Sequence, residues 1–201
     1  AILVGNGIKA SLASSFCPTP AVSWYTKHHN CTAGIMVTAS HNPAQWNGIK
    51  FKESSGGAAS EDFVRPIEEQ IIVNDERGKT PNIADISSGH ELLSHFDPRK
   101  DYLESMQSLV DIERIKSKSF KILVEPMYGA GIGFFSKLLG DNVTELHNQR
   151  DLNFGGIHPE PIPPHVNEAL ETVKNNAYDC GLILDGDADR AGLIDENGNF
   201  V

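Results

Sequence analysis

The sequence predicts an α/β fold, and three observations carry that reading. Short apolar runs alternate with stretches that open on helix-start signals. Turns rich in Gly, Pro and Asn punctuate them, often directly after an apolar run. The alternation pauses once, over residues 74–96, so a boundary at 95/96 gives domains 1–95 and 96–201.

The elements follow in order. Pro18-Thr19-Pro20 precedes a helix from Ala21 to His29. Thr32 to Val37 reads as a buried strand, short, apolar and closed by turn residues. Ile49 to Lys52 alternates apolar and basic, the pattern of a half-buried strand, with Lys50 and Lys52 on one face and Ile49 and Phe51 on the other. After the Ser54–Gly57 turn, Ser60 is the N-cap of an acid-led helix reaching about Val73. The polar stretch from Asn74 to His95 holds one short strand. Asp97 as N-cap and Pro98 at the first helical position restart a helix, which breaks near Asp111 and ends near Lys116.

Lys121–Glu125 is a strand, and Gly129-x-Gly131-x-Gly133 turns it into a helix ending at Gly140. Val143–Leu146 is the next strand, 148–164 a loop and Pro164–Ala177 a helix. Cys180–Leu184 and Ala191–Ile194 are strands on either side of an aspartate-rich loop, and Asp195–Gly198 turns the chain back.

Composition narrows the function. A net charge of −10 argues against a nucleic-acid partner or an anionic membrane surface. No apolar run approaches the ~20 residues of a membrane span. Cys17, Cys31 and Cys180 are odd in number and scattered, which suits a reducing cytoplasm better than a disulfide framework. Ala1–Gly5 does not read as a signal peptide, and both ends read as cut from something longer.

Two motifs carry chemistry. In Thr38-Ala39-Ser40-His41-Asn42-Pro43 a serine stands on a tight turn just past a strand, exposed and held as a nucleophile must be. His41 and Asn42 offer hydrogen bonds to a phosphate or to the loop itself, and Lys50 returns an ammonium to the same edge. The alternative is a plain turn, since these residues favour turns. A Ser-His-Asp hydrolase lacks its Gly-x-Ser-x-Gly elbow here. The second motif is Asp185-Gly186-Asp187-Ala188-Asp189-Arg190. Its alternating carboxylates point one way, a hard oxygen site suited to Mg²⁺, and Arg190 can grip a phosphate. A solvated acidic turn without metal is the alternative. An EF-hand reading places Glu196 at position twelve but Arg190 where Gly is needed, between strands instead of helices. The Gly129–Gly133 turn lacks dinucleotide spacing and reads as a strand-to-helix connection. His28-His29 and His158-Pro159-Glu160-Pro161 are read as structural.

Together these residues resemble the α-D-phosphohexomutase family of phosphoglucomutases, phosphomannomutases and phosphoglucosamine mutases. The two motifs carry the likeness with Asn47-Gly48-Ile49-Lys50-Phe51, and Pro18-Thr19-Pro20 and His158–Pro161 echo it. The resemblance implies two three-layer α/β/α domains with mixed, mostly parallel sheets, the first lacking its start. It implies that Ser40 is a phosphoserine that passes phosphate to a hexose phosphate through a hexose 1,6-bisphosphate. Asp185, Asp187 and Asp189 would bind Mg²⁺ with an oxygen on Ser40. Lys50 would be general acid/base, Arg190 a phosphate or proton-transfer partner, and His41 and Asn42 would position the phosphate. A glucose or mannose phosphate is the expected substrate. Domains III and IV of the family lie outside this chain, so the piece alone is expected to be inactive as a mutase.

Overall fold

The computed structural model describes all 201 residues. The chain runs α1 (Ile2–Gly5), β1 (Ala10–Ala13), α2 (Thr19–His28), β2 (Ala33–Val37), β3 (Ile49–Glu53), α3 (Glu61–Glu76) and β4 (Leu93–Phe96). It continues through α4 (Lys100–Leu109), α5 (Ile112–Lys116), β5 (Ile122–Glu125), α6 (Phe134–Leu139), β6 (Val143–Glu145), α7 (Asn167–Asn175), β7 (Cys180–Leu184) and β8 (Ala191–Ile194). The sequence reading placed nothing at α1 or β1. The small residues Ala10-Ser11-Leu12-Ala13 give no alternation to read, and their parallel partner β4 lies some 80 residues away. No helix is long and apolar enough to cross a membrane.

The C-terminal half is a three-layer sandwich. Its sheet has the order β6-β5-β7-β8, with β5 parallel to β6 and β7, and β8 antiparallel at the edge. Period-two alternation sends Leu123 and Ile183 to the face covered by Ala169 and Val173 of α7. The neighbouring Ile122 and Val124 pack on the other face, against Ile112 of α5 and Leu139 of α6. Burying both faces explains why β5 and β7 read as continuous apolar runs. The β5 and β7 strands therefore deliver their C-terminal ends, Glu125 and Leu184, to one edge, where open α/β sheets bind ligands.

The N-terminal half is built from two separate ribbons, β1 parallel to β4 and β2 antiparallel to β3. The two face each other across an apolar groove of about 1590 Å³ lined by Ile8, Leu12, Ile35 and Val37 among others. This corrects the buried-strand reading of β2: Ile35 is 42 % and Val37 62 % exposed, because the face of β2 that carries them borders the open groove. The two faces of β3 also reverse the expected balance. Lys52 is buried on the side of Gly34 and Thr26 of α2, whereas Ile49 is 62 % exposed.

Two caps shift as well. Ser60 occupies the N-cap of α3, but its hydroxyl donates to Glu53 instead of accepting from the helix. Asp97 accepts from the Arg99 amide, so Asp97-Pro98 makes a turn and α4 begins at Lys100. The break at Asp111 stands, with the Asp111 carboxylate accepting from the Arg114 amide at 3.0 Å to cap α5. Helix α7 starts at Asn167, three residues after the expected Pro164.

Candidate active site

The serine motif is the connection of the β2–β3 hairpin. Antiparallel pairing ends at Val37–Ile49, and the Thr38 amide donates to the Gly48 carbonyl at 2.9 Å. Ser40 and Lys50 are thereby delivered to the same end of the ribbon. Ser40 adopts φ 56°, a left-handed conformation that costs an L-residue roughly 1–2 kcal/mol. The turn is held by the Ser40 amide on Thr38 Oγ1 at 2.8 Å and by the Asn42 amide on the Ala39 carbonyl.

The aspartate motif leaves the buried end of β7. Asp185 Oδ1 accepts from the backbone amides of Asp189 (3.0 Å) and Arg190 (3.1 Å), so the carboxylate folds its own loop. Gly186 is required by close approach: a Cβ there would lie 2.6 Å from the Ser40 carbonyl oxygen. Gly129 is required in the same way, since a Cβ would lie 2.5 Å from the Gly186 carbonyl. That carbonyl accepts from the Ala130 amide at 2.9 Å, so the glycine turn after β5 buttresses the aspartate loop. The start of α6 holds an internal anion, with the Gly133 amide 2.9 Å and the Ser136 hydroxyl 2.6 Å from the Glu145 carboxylate.

The two motifs meet. Ser40 Oγ lies 3.1 Å from Asp187 Oδ1, 3.3 Å from Asp185 Oδ2 and 2.7 Å from Arg190 Nη2. Lys50 Nζ bridges Asp187 (2.8 Å) and Asp189 (2.9 Å). Arg190 also pairs with Asp185 at 2.9 Å and bonds His41 Nδ1. Seven of the eight predicted residues thus converge. The eighth, Asn42, is turned away: its exposed side-chain amide donates to the Ala39 carbonyl and braces the turn.

Thr19 is the residue the sequence reading missed. Its hydroxyl donates to Asp187 Oδ2 at 2.7 Å and its amide to the Asp187 carbonyl at 2.9 Å. The only signal was its place between Pro18 and Pro20, which marks a fixed backbone and no chemistry.

Burial sets the electrostatics. Asp185 and Asp187 are 0 % and 2 % exposed. Burial, with repulsion from Asp187 and Asp189, pushes the Asp185 carboxyl above the usual range despite the bonds from Arg190. At Asp187 burial also acts upward, but hydrogen bonds from Lys50, Thr19 and Ser40 outweigh it and hold the carboxyl low. Burial acts downward on Lys50, and the Asp187 and Asp189 bonds outweigh that, so its ammonium is held protonated. The carboxylates of Asp185, Asp187 and Asp189 offer oxygens within 4.8 Å of one another. An all-oxygen trio beside a serine hydroxyl fits a hard divalent cation such as Mg²⁺.

Comparison with known proteins gives the family. The family profile described as phosphoglucomutase/phosphomannomutase, alpha/beta/alpha domain I matches residues 1–78. The profile for alpha/beta/alpha domain II of the same family matches residues 100–198. The chain belongs to the phosphoglucomutase/phosphomannomutase family. It is 36 % identical over 188 residues to a phosphoglucomutase/phosphomannomutase of Thermococcus kodakarensis, covering 92 % of this chain and 40 % of that one. It is 33 % identical over 208 residues to a phosphoglucosamine mutase of Clostridium kluyveri, covering 98 % and 44 %. A solved structure from Thermus thermophilus, described as a phosphomannomutase, superposes with a TM-score of 0.83 at 30 % identity, over 98 % of this chain and 44 % of that one. This chain therefore spans less than half the length of the relatives it matches.

Proposed function

We propose that this chain forms the phosphoserine and metal-binding part of a phosphohexomutase that interconverts hexose 1-phosphate and hexose 6-phosphate, with glucose or mannose as the sugar. One observation carries the reading: Ser40 Oγ stands within 3.3 Å of two buried carboxylates and 2.7 Å from a guanidinium. Reacting groups must be near contact, and these come from motifs 145 residues apart.

In this reading Ser40 carries phosphate in the resting enzyme. A hydroxyl of the sugar monophosphate attacks the phosphorus, the Ser40 Oγ–P bond breaks and a sugar O–P bond forms, giving a hexose 1,6-bisphosphate. The hydroxyl's proton is passed to Oγ. The sugar turns over, and the reverse transfer at its other phosphate restores phosphoserine. Arg190 holds equatorial phosphoryl oxygens, oriented by Asp185 and paired with His41. Lys50, held protonated between Asp187 and Asp189, donates toward the transferring group. Thr19 fixes the Asp187 carboxylate. Asn42 acts by shaping the turn. Asp185, Asp187, Asp189 and Ser40 would hold the Mg²⁺, which when bound neutralises charge on the transferring phosphoryl.

The division at 95/96 stands as a proposal, as does work in the cytoplasm, where the free Cys17, Cys31 and Cys180 stay reduced. The family's further domains would complete sugar recognition. Likeness to phosphoglucosamine mutases keeps glucosamine phosphate as a second substrate reading.

The test is phosphosite mapping by mass spectrometry after incubation with glucose 1,6-bisphosphate and Mg²⁺. Phosphate on Ser40, absent in Ser40→Ala, is expected. A longer chain carrying these residues, left unlabelled at Ser40 in the same incubation, would sink the mutase reading and leave a phosphosugar- or cation-binding module. Assaying that longer chain on the three hexose 1-phosphates separates the substrates.

A further inference from the structure

A second cluster of ligand-bearing side chains lies beside the serine site, with the His158 ring 6.2 Å from that of His41, centroid to centroid. His158, Glu160 and His165 offer one ligand atom each, all within 4.8 Å of one another. The cluster is assembled by the connection between β6 and α7, where the Glu160 amide bonds the His158 carbonyl and the His165 amide the Ile162 carbonyl. The rings of His158 and His165 stack with centroids 4.9 Å apart.

The environment of His158 is what calls for a ligand. Its Nδ1 is shielded from solvent and has no hydrogen-bond partner, and an unmet buried polar atom is costly. The facing oxygen, Glu160 Oε2, stands 3.8 Å away, too far for a hydrogen bond. Two ligands of one tetrahedral zinc ion, with bonds of about 2.1 Å, lie ~3.4 Å apart. The His158–Glu160 pair is a few tenths of an ångström from that spacing. His165 offers a ring nitrogen within 4.8 Å of both. The side chains of His158 and Glu160 are each 30 % exposed, open enough for an ion to enter.

We propose that His158, Glu160 and His165 form a second metal site, selective for a zinc-class transition ion and distinct from the aspartate loop. The donor sets differ in kind. Two imidazoles and one carboxylate suit Zn²⁺, with water as fourth ligand, whereas three carboxylates suit Mg²⁺. The cluster meets the serine site through the His41 ring and through Pro159, between two of the ligands, which accepts from the Gly186 amide at 3.3 Å. An ion here steadies the segment on which the Asp185–Asp187 turn leans. The proposal stands apart from the assignment of Ser40.

The test is equilibrium dialysis of the intact chain against Zn²⁺ in excess Mg²⁺, with bound metal counted by mass spectrometry. One zinc per chain is expected. His165→Gln and Glu160→Gln should each weaken binding by about tenfold or more, and Asp189→Asn should leave it unchanged. Co²⁺ in place of Zn²⁺ should give visible bands of a tetrahedral ion in the parent chain and not in His165→Gln. Circular dichroism checks that each variant is folded. Zinc uptake that survives both His165→Gln and Glu160→Gln, that disappears with Asp189→Asn, or that fails in the parent chain would overturn the proposal.

Discussion

Asp187 is tied to three partners, accepting from Thr19, Ser40 and Lys50 while only 2 % exposed. Asp187→Asn keeps its volume but turns an amide donor on donors. The expected outcome is Mg²⁺ affinity lower by about tenfold or more, read by calorimetric titration. Stability should fall by roughly 1–3 kcal/mol, read from the urea midpoint. A second prediction concerns Glu53. The Ser60 amide and hydroxyl both donate to its Oε1 at 2.8 Å, backbone first and side chain second, and hold its carboxyl below the usual range. A lowered carboxyl contributes stability above its unfolded pKa and loses it as pH falls through the folded one. Ser60→Ala removes one donor, so the NMR titration of the Glu53 carboxyl should move up toward the ordinary value. A titration that stays put would show the hydroxyl bond idle. Residues with functional chemistry and a turn or strand end beneath them, such as Ser40, Lys50 and Asp185, were legible in the sequence. Thr19 was not, because its contact spans 168 residues and the prolines on either side of it mark only a fixed backbone.

Among the elements, a strand read as buried held up where both of its faces are covered. Strands β5 and β7 read correctly because the sandwich covers them twice. Strand β2 has the same apolar character and read as buried, yet its face carrying Ile35 and Val37 borders the open groove. Stability should divide accordingly. Leu123→Ala, at 1 % exposure in β5, should cost about 2–5 kcal/mol, whereas Ile35→Ala, at 42 %, should cost under about 1 kcal/mol. Urea unfolding of both variants checks the contrast. The turn after β5 gives a further prediction. Gly129→Ala drives a Cβ toward the Gly186 carbonyl, which must move away by several tenths of an ångström. Mg²⁺ affinity should drop although no ligand is altered, while Gly140→Ala, with open space around its Cβ but φ 61°, should change stability and not metal affinity. Equal metal affinity in Gly129→Ala would detach the turn from the site.

For the whole molecule the groove between the β1/β4 and β2/β3 ribbons is the largest feature that the sequence left unread. Exposed apolar lining of this kind binds hydrophobic dyes. The chain should therefore enhance the fluorescence of anilinonaphthalene sulfonate under native conditions, and Val37→Lys should reduce the enhancement. Dye binding unaffected by Val37→Lys would locate it elsewhere. Domain class, by contrast, was legible, because alternation of strand and helix is a long-range statistic that survives errors at single boundaries.

Ser40 is presented by a hairpin of the N-terminal half, and its carboxylate and guanidinium neighbours by a strand end of the C-terminal half. The candidate site is thus a relative position before it is a set of residues. If the halves of the proposed mutase swing on the microsecond-to-millisecond scale of domain motion, the fraction of time spent shut multiplies directly into its turnover number. A substitution that shifts this fraction then acts on the proposed reaction as a clock setting, slowing all substrates by one common factor.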